Sequence, residues 1–352
     1  MNLLMFNLAV DQEHVTLGFG LRWIEALSRR YEHVDVVTMF AGGYQLPANV
    51  RVWSVGRERG YSKFRRVLRF YAIVWRILRE RPVGVVFTHM IPIFAVLFWP
   101  VARLTGRHNV LWYAHGATPP MLRLAHALVD RVVSSTPDGF RIKSEKATFI
   151  GQGIDADIYR PVARDHEHGL RMITVGRIAP SKGIDLIVDA LAGWEPKRDW
   201  RLTLVGAGTS DSEQAYSDRV HQAAAGDNRI HFTGFKAAAD IAALLEQSDV
   251  FINLSSTGSL DKAIVEAMAT GCLVISSNDA FRRMAREAGF PECIVEPMPE
   301  ALRAKLSEIA AMPLAARCAI ADRQSQVARR HTLDGLIGRL CEILEREAAR
   351  AA

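Results

Sequence analysis

Short apolar runs rich in Val, Ile and Leu alternate along this chain with longer stretches of helical period. In the first half, runs at 2–9, 34–39, 50–54, 83–88, 108–114, 131–135 and 147–150 read as strands. Helical patterns at 17–31, 62–80, 92–105, 119–129 and 137–143 separate them. In the second half, strands are predicted at 171–176, 201–206, 229–232, 249–254, 272–276 and 293–295. The intervening helices are predicted at 183–193, 212–225, 237–247, 261–270, 279–288 and 299–311. This strand–helix rhythm, occurring twice, predicts an α/β protein with two doubly wound parallel sheets. The run Val83-Gly84-Val85-Val86-Phe87 is apolar on both faces, as a sheet covered on both sides requires. The boundary is expected within Ile158–His168, where Pro161 and several charges lie between periodic blocks. Residues 332–349 read as a last helix with no strand after it. Two such sheets facing each other are expected to leave a ligand cleft at the carboxyl ends of their strands.

The 352 residues suit two domains, and the apolar fraction of 49% is ordinary for a globular chain. The start, Met1-Asn2-Leu3-Leu4-Met5-Phe6, reads as a first strand and lacks the basic region of a signal peptide. Cys272, Cys293, Cys318 and Cys341 show no metal-like spacing and suit buried thiols in a reducing, cytoplasmic setting. Charge is uneven. Residues 1–160 hold 21 Lys/Arg against 12 Asp/Glu, and residues 161–352 hold 23 against 26. An anionic partner is therefore expected for the first half only.

The densest positive stretch is Arg57–Arg81, with nine basic and two acidic residues. Phe64, Val67, Leu68, Tyr71, Val74, Trp75 and Leu78 recur there on one helical face, with Arg65, Arg66, Arg69, Arg76 and Arg79 largely off it. Two readings stand: a helix packed by that face on its own sheet, or a helix lying in an anionic membrane interface, on the inner face of the cytoplasmic membrane. The packed reading accounts for the apolar face, and the charge still suits lipid. The apolar run Ile91–Ala102 is too short to span a bilayer of about 30 Å. A nucleic-acid partner is not expected, because no recognition motif accompanies the charge.

Two segments of the second half carry candidate chemistry. In Val175-Gly176-Arg177-Ile178-Ala179-Pro180-Ser181-Lys182-Gly183 a strand ends, two cations follow and a helix begins. Cations beside a helix start suit a diphosphate, although the pair also fits an ordinary solvated turn. In Ser255–Gly271 a small-residue turn leads into a helix that Asp261 is placed to cap. The N–H groups of Gly258, Ser259 and Leu260 are candidates for phosphate or sugar oxygens. Glu266 should be partly buried and needs a partner, either a ribose diol or a salt bridge. His115 follows the strand ending at Ala114, and His89 ends the strand before it; each can cap its strand end by a hydrogen bond. No carboxylate cluster suits Mg²⁺, and no metal or cofactor is expected.

Together, Val175–Gly183 and the run Glu266-Ala267-Met268-Ala269 before Gly271 resemble glycosyltransferase family 4 of the GT-B fold. Ile150–Asp155 with Tyr159 and Pro161, Val205–Gly208, and Phe232–Phe235 extend the resemblance over most of the chain. It implies two Rossmann-like domains: an acceptor side at 1–160, a nucleotide-sugar side at 161–330, and a helix at 331–352 returning to the first. It implies a retaining enzyme that moves a sugar from a nucleotide-sugar donor to a glycan or lipid-linked acceptor. Arg177 and Lys182 would hold the diphosphate, Glu266 the ribose, and Gly234 and Phe235 the base. His115 would approach the transferred sugar, and Gly18 would lie by the donor phosphates.

One departure stands out. The family commonly places a second glutamate eight positions before Glu266, where this chain has Gly258. Asp261 and Lys262 are nearby to replace some of its contacts. The gap keeps two alternatives open: a non-catalytic nucleotide-sugar-binding module, and a hydrolase or epimerase of sugar nucleotides.

Overall fold

The computed structural model describes residues 1–12, 19–164 and 169–351. The first strands and helices are β1 (Asn2–Val10), α1 (Phe19–Ser28), β2 (His33–Ala41), β3 (Val50–Ser54), α2 (Lys63–Glu80) and β4 (Val83–His89). Next come α3 (Pro92–Thr105), β5 (Asn109–Trp112), α4 (Pro120–Leu128), β6 (Arg131–Ser134) and β7 (Ala147–Phe149). The second half runs through β8 (Leu170–Val175), α5 (Ile184–Leu191), β9 (Trp200–Val205), α6 (Asp211–Ala223), β10 (Ile230–Gly234) and α7 (Ala238–Glu246). It continues with β11 (Val250–Asn253), α8 (Lys262–Ala269), β12 (Leu273–Ser276), α9 (Asp279–Ala288), α10 (Pro299–Ala311), α11 (Leu314–Ala328) and α12 (Leu333–Ala351).

The chain divides into two units, Met1–Gly151 with Leu333–Ala352, and Gln152–Thr332. Unit 1 carries a seven-stranded sheet in the order β3-β2-β1-β4-β5-β6-β7, and its strand pairs are parallel. Alternate residues of β1 sort its two faces. Leu4 and Phe6 pack under α2 and α3, while Leu3 and Met5 pack against α1 and α12. α4 joins the α3 side through Ala95, Leu122 and Ala125. α12 is pinned by Glu347, a buried carboxylate that meets His108 Nδ1 at 2.9 Å and Arg131 Nη2 at 3.2 Å. Burial pushes that carboxyl up, but the hydrogen bonds from His108 and Arg131 outweigh it and hold it below the usual range.

Unit 2 carries a five-stranded parallel sheet in the order β10-β9-β8-β11-β12. Its edge strand β12 is covered by α11. Gln324 matches both backbone groups of Val274, accepting from its N–H at 2.8 Å and donating to its carbonyl at 2.9 Å. That side chain closes part of an otherwise open sheet edge.

Several expectations change. The division between units falls at Gly151/Gln152, ahead of the expected 158–168. The intervening chain is already tied to unit 2: Ile154 bridges Thr332, Tyr159 is in the unit 2 core, and the Val162 N–H bonds Thr270. The helix expected at 137–143 is only a single 3-10 turn, Pro137–Gly139, after which the chain extends. The strand expected at 293–295 is a 3-10 turn, Pro291–Cys293, followed by one isolated bridge from Ile294 to Ser276. α11 was not legible, because its buried side includes Arg317, Gln324 and Ser325 and so shows no apolar stripe. α2 forms where expected, and its predicted stripe is only in part the packing face: Val74 is buried and Tyr71, Trp75 and Leu78 are half-buried against the unit 1 core. Phe70, Ile73, Val74 and Ile77 are buried, while Phe64 and Leu68 of the predicted packing stripe are exposed.

Candidate functional site

In unit 2 the chain moves outward from β8 through β9 to β10, then crosses back to β11 and β12 on the other side. The strand order therefore reverses between β8 and β11, the place where open parallel sheets bind ligands beyond their carboxyl ends. The loops after β8, β9, β10 and β11 all emerge at that edge. They are closely stitched. The Gly176 N–H bonds Val205, the Ile178 N–H bonds Ala207, and the Gly206 N–H bonds Gly234. Gly206 has φ +138, and a Cβ there would lie 1.8 Å from the Gly176 carbonyl oxygen. Only glycine allows these two turns to touch.

Both cations of the first segment engage carboxylates. Arg177 Nη1 pairs with Glu213 of α6, whose other oxygen accepts from the Thr209 N–H at 2.8 Å and the Thr209 hydroxyl at 2.6 Å. Ser210 caps α6 by accepting from the Glu213 N–H. Burial raises the Glu213 carboxyl, but the Thr209 hydrogen bonds and the Arg177 charge overcome this and hold it below its ordinary value. Lys182 Nζ lies 2.7 Å from Asp261 Oδ2, bridging the loops of β8 and β11 across the reversal point. The same carboxylate accepts from Asn253 Nδ2 at 2.9 Å and the Thr257 hydroxyl at 3.3 Å. Burial pushes the Asp261 carboxyl up, and the Lys182 charge with the hydrogen bonds brings it net below its usual range.

Asp261 was expected to cap α8. It occupies the cap position, but its side chain caps nothing, because its carboxylate is taken by Lys182 and Asn253. The N–H groups of Gly258, Ser259 and Leu260 have no hydrogen-bond partner among the described residues. Their carbonyl side is anchored: the Ser259 carbonyl accepts from Asn278 at 2.9 Å and the Leu260 carbonyl from Gln152 at 3.3 Å. Gly258 has φ +77, a left-handed conformation that disfavours any other residue. Glu266 is buried on α8, and Lys262 Nζ reaches its Oε1 at 3.2 Å. At the end of β10, Gly234 turns with φ +67 and presents Phe235, which is 53% exposed.

Unit 2 thus gathers Arg177, Lys182, residues 258–262 and Glu266 at one strand-order reversal, with Gly234 and Phe235 two strands away. Glu213, Thr209, Asn253 and Thr257 join them without having been singled out from sequence. For Glu213 a signal was present, since Ser210-x-x-Glu213 has the spacing of a helix capping box.

His115 belongs to unit 1. It is exposed, its Nδ1 accepts from the Ala117 N–H at 3.0 Å, and its own N–H bonds Gly139. In the neutral ring the proton therefore sits on Nε2. His89 is buried among Trp23 and Phe87, and burial pushes it down to about 3, so it stays neutral. Gly18 lies outside the described residues. Among the described residues no group of three or more His, Cys, Asp or Glu is placed to hold a metal.

Residues 169–311 match the family model of group 1 glycosyl transferases. A GDP-mannose-dependent alpha-mannosyltransferase of Mycolicibacterium smegmatis is 31% identical over 222 residues, covering 57% of this chain and 53% of the relative. The chain spans about half or less of the length of the curated relatives it matches. Among solved structures, sucrose-phosphate synthase from Thermosynechococcus elongatus superposes with a TM-score of 0.80 at 17% identity, covering all of both chains. Anabaena HepE in complex with UDP does so at 0.77 and 18% identity, covering 98% of this chain and all of that one. These likenesses carry the fold, which is the GT-B architecture of two doubly wound units. Residues 169–311 are thus similar to the group 1 glycosyl transferases.

Proposed function

We propose that this protein is a retaining glycosyltransferase that moves a sugar from a nucleotide-sugar donor to a glycan or lipid-linked acceptor. The observation that carries the reading is the pair Arg177 and Lys182 at the reversal between β8 and β11, beside three N–H groups without partners. The two cations receive the donor diphosphate and stabilise charge on the leaving group as the glycosidic bond to phosphate breaks. The N–H groups of Gly258, Ser259 and Leu260 add fixed dipoles at the start of α8. Glu266 accepts hydrogen bonds from the ribose diol, exchanging with Lys262. Phe235 offers a flat face to the base. UDP in HepE and GDP-mannose in the name of the mycobacterial relative leave the base open between uridine and guanosine. This reading assigns charge neutralisation to the protein's own cations and calls on no metal.

The test is transfer from isotope-labelled UDP- and GDP-sugars to cell glycolipids and glycans, with the product's anomeric configuration read by NMR. Label in a product that keeps the donor's configuration supports the proposal, and inversion refutes retention. A second reading is favoured by one observation, the left-handed Gly258 where the family carries a carboxylate. On that reading the protein binds a nucleotide sugar without turnover. Donor-induced thermal stabilisation with no labelled product would establish it, and label released only as free sugar or isomer would mean hydrolysis or epimerisation.

A further inference from the structure

α2 has two apolar sides. One side, with Phe70, Ile73, Val74 and Ile77, lies on the unit 1 sheet. The other faces away from it. Phe64 is 74% exposed and Leu68 54% exposed, one helical turn apart. The exposed Ala72 continues their line along the helix, whereas Trp75 is half-buried against the unit 1 core. Arg65, Arg69 and Arg76 form the adjoining row. A soluble helix gains nothing from a large apolar stripe on its water side, so the stripe calls for a cover.

Charge says what kind. From Arg59 to Val129 the chain holds eleven Lys and Arg and one acidic residue, Glu80. That stretch contains α2, α3 and α4, the helices on one face of the sheet. α3 and α4 add exposed Trp99, Leu104, Met121 and Leu124 to the same layer. Arg65 stacks its guanidinium on Tyr61, 3.7 Å from the ring centre. An aromatic and arginine rim around short apolar teeth is the chemistry of a bilayer interface with anionic headgroups. A nucleic acid would answer the arginines but would leave Phe64 and Leu68 in water.

Position gives the surface a use. α2 runs antiparallel to the strands, so its first turns stand at their carboxyl edge. Arg66 reaches Met39 Sδ near the end of β2 at 3.3 Å, and Arg69 reaches the Ser54 carbonyl, the end of β3, at 3.2 Å. His115 follows β5 at that same edge. Among the described residues no helix is long and apolar enough to cross a membrane, so this face would lie on the bilayer.

We infer that the start of α2 docks unit 1 on an anionic lipid surface, with Phe64 and Leu68 entering the acyl boundary and the arginines holding headgroup phosphates. The inference stands on unit 1 and does not depend on the donor reading. Its test is co-sedimentation with vesicles of phosphatidylcholine, with and without phosphatidylglycerol. The full chain should bind only the phosphatidylglycerol vesicles, and salt should weaken binding. The double variant Phe64→Ser, Leu68→Ser should lose about tenfold in vesicle affinity at low salt. Arg57→Gln, Arg59→Gln, Arg65→Gln should lose a similar amount. All these side chains are exposed, so melting temperatures and nucleotide-induced thermal shifts should remain those of the wild type. Absence of vesicle binding, equal binding to neutral vesicles, or unchanged binding of the Phe64/Leu68 variant would overturn the inference. A wild-type dimer dissolved by Phe64→Ser would overturn it too, by showing that a second copy covers the stripe.

Discussion

Removing Lys182 tests the electrostatics of the reversal point most directly. Lys182→Met keeps the aliphatic stem and deletes the charge. Asp261 then loses its partner while its side chain remains only 13% exposed. Breaking a buried pair by removing one member costs about 3–5 kcal/mol. Asn253 and Thr257 still donate to the carboxylate, which brings the expected loss to about 2–4 kcal/mol. For a unit of this size that is a fall of roughly 10 °C in melting temperature.

The pH dependence carries the sharper signature. In the wild type, burial raises the Asp261 carboxyl, but Lys182 and the hydrogen bonds hold it below its unfolded value. The pair therefore stabilises the fold above the unfolded carboxylate range, and that contribution fades as pH falls through the lowered value. In Lys182→Met the remaining hydrogen bonds offset the burial effect only in part, so the carboxyl shifts upward and the buried charge is relieved by protonation. The deficit of the variant should be largest near about pH 7.5 and shrink towards about pH 4.5. Lys182→Met combined with Asp261→Asn should recover much of the loss. Differential scanning fluorimetry across pH reads all three chains. A deficit that does not change with pH, or a double variant no more stable than the single one, would refute the argument.

Three further outcomes follow from the same geometry. Arg177→Ala should lower kcat/KM for the donor by about 100- to 1,000-fold while leaving the fold intact, because the side chain is 41% exposed; near-normal kinetics would remove its phosphate role. Glu213→Gln removes the charge that occupies Arg177, so the dissociation constant for a nucleoside diphosphate should fall several-fold in isothermal titration; weaker binding would count against competition for that cation. His89 is held neutral by burial, with its value down at about 3, so the unfolded chain takes up a proton there first as pH drops below about 6.5. Stability should decline over that window, and His89→Phe should flatten the acid limb of a denaturation profile; an unchanged limb would show that other groups control it.

The strands were legible because a sheet covered on both faces demands unbroken Val, Ile and Leu, as in Val83–Phe87. Arg177, Lys182 and Glu266 were legible because a strand-to-helix turn places them at fixed offsets. What failed was the choice among alternatives that period alone leaves equal. α2 is apolar over more than half its circumference, so periodicity located the helix but could not say that Phe70 and Ile77, rather than Phe64 and Leu68, face the sheet. α11 buries Arg317, Gln324 and Ser325, and no hydropathy pattern marks a helix whose inner side is polar and whose Gln324 pairs with the backbone of Val274. The partnership of Glu213 with Arg177 joins the first turn of α6 to a loop 36 positions earlier, and only the parallel pairing of β8 with β9 brings those segments together.

The charges of the site explain why Arg177 and Lys182 need not act alike. Three cations meet three carboxylates: Arg177 with Glu213, Lys182 with Asp261, and Lys262 with Glu266. A diphosphate entering such a set finds its charge already matched, so its binding must draw on exchange of partners or on the unpaired N–H groups at 258–260. The two pairs of the first segment differ in how readily they exchange. Lys182 and Asp261 are 16% and 13% exposed, and separating them strands a buried carboxylate. Arg177 is 41% exposed, and Glu213 keeps both Thr209 hydrogen bonds when the guanidinium leaves. On the proposed reading Arg177 would be the cation that exchanges its carboxylate for a phosphate at the smaller cost, while Lys182 would meet the diphosphate with its Asp261 contact kept, fixing the loop that carries Gly258. A glutamate at position 258 would have to adopt the left-handed backbone that Gly258 holds. Asp261, three residues on, supplies a carboxylate to the loop without that strain, and it pairs with Lys182.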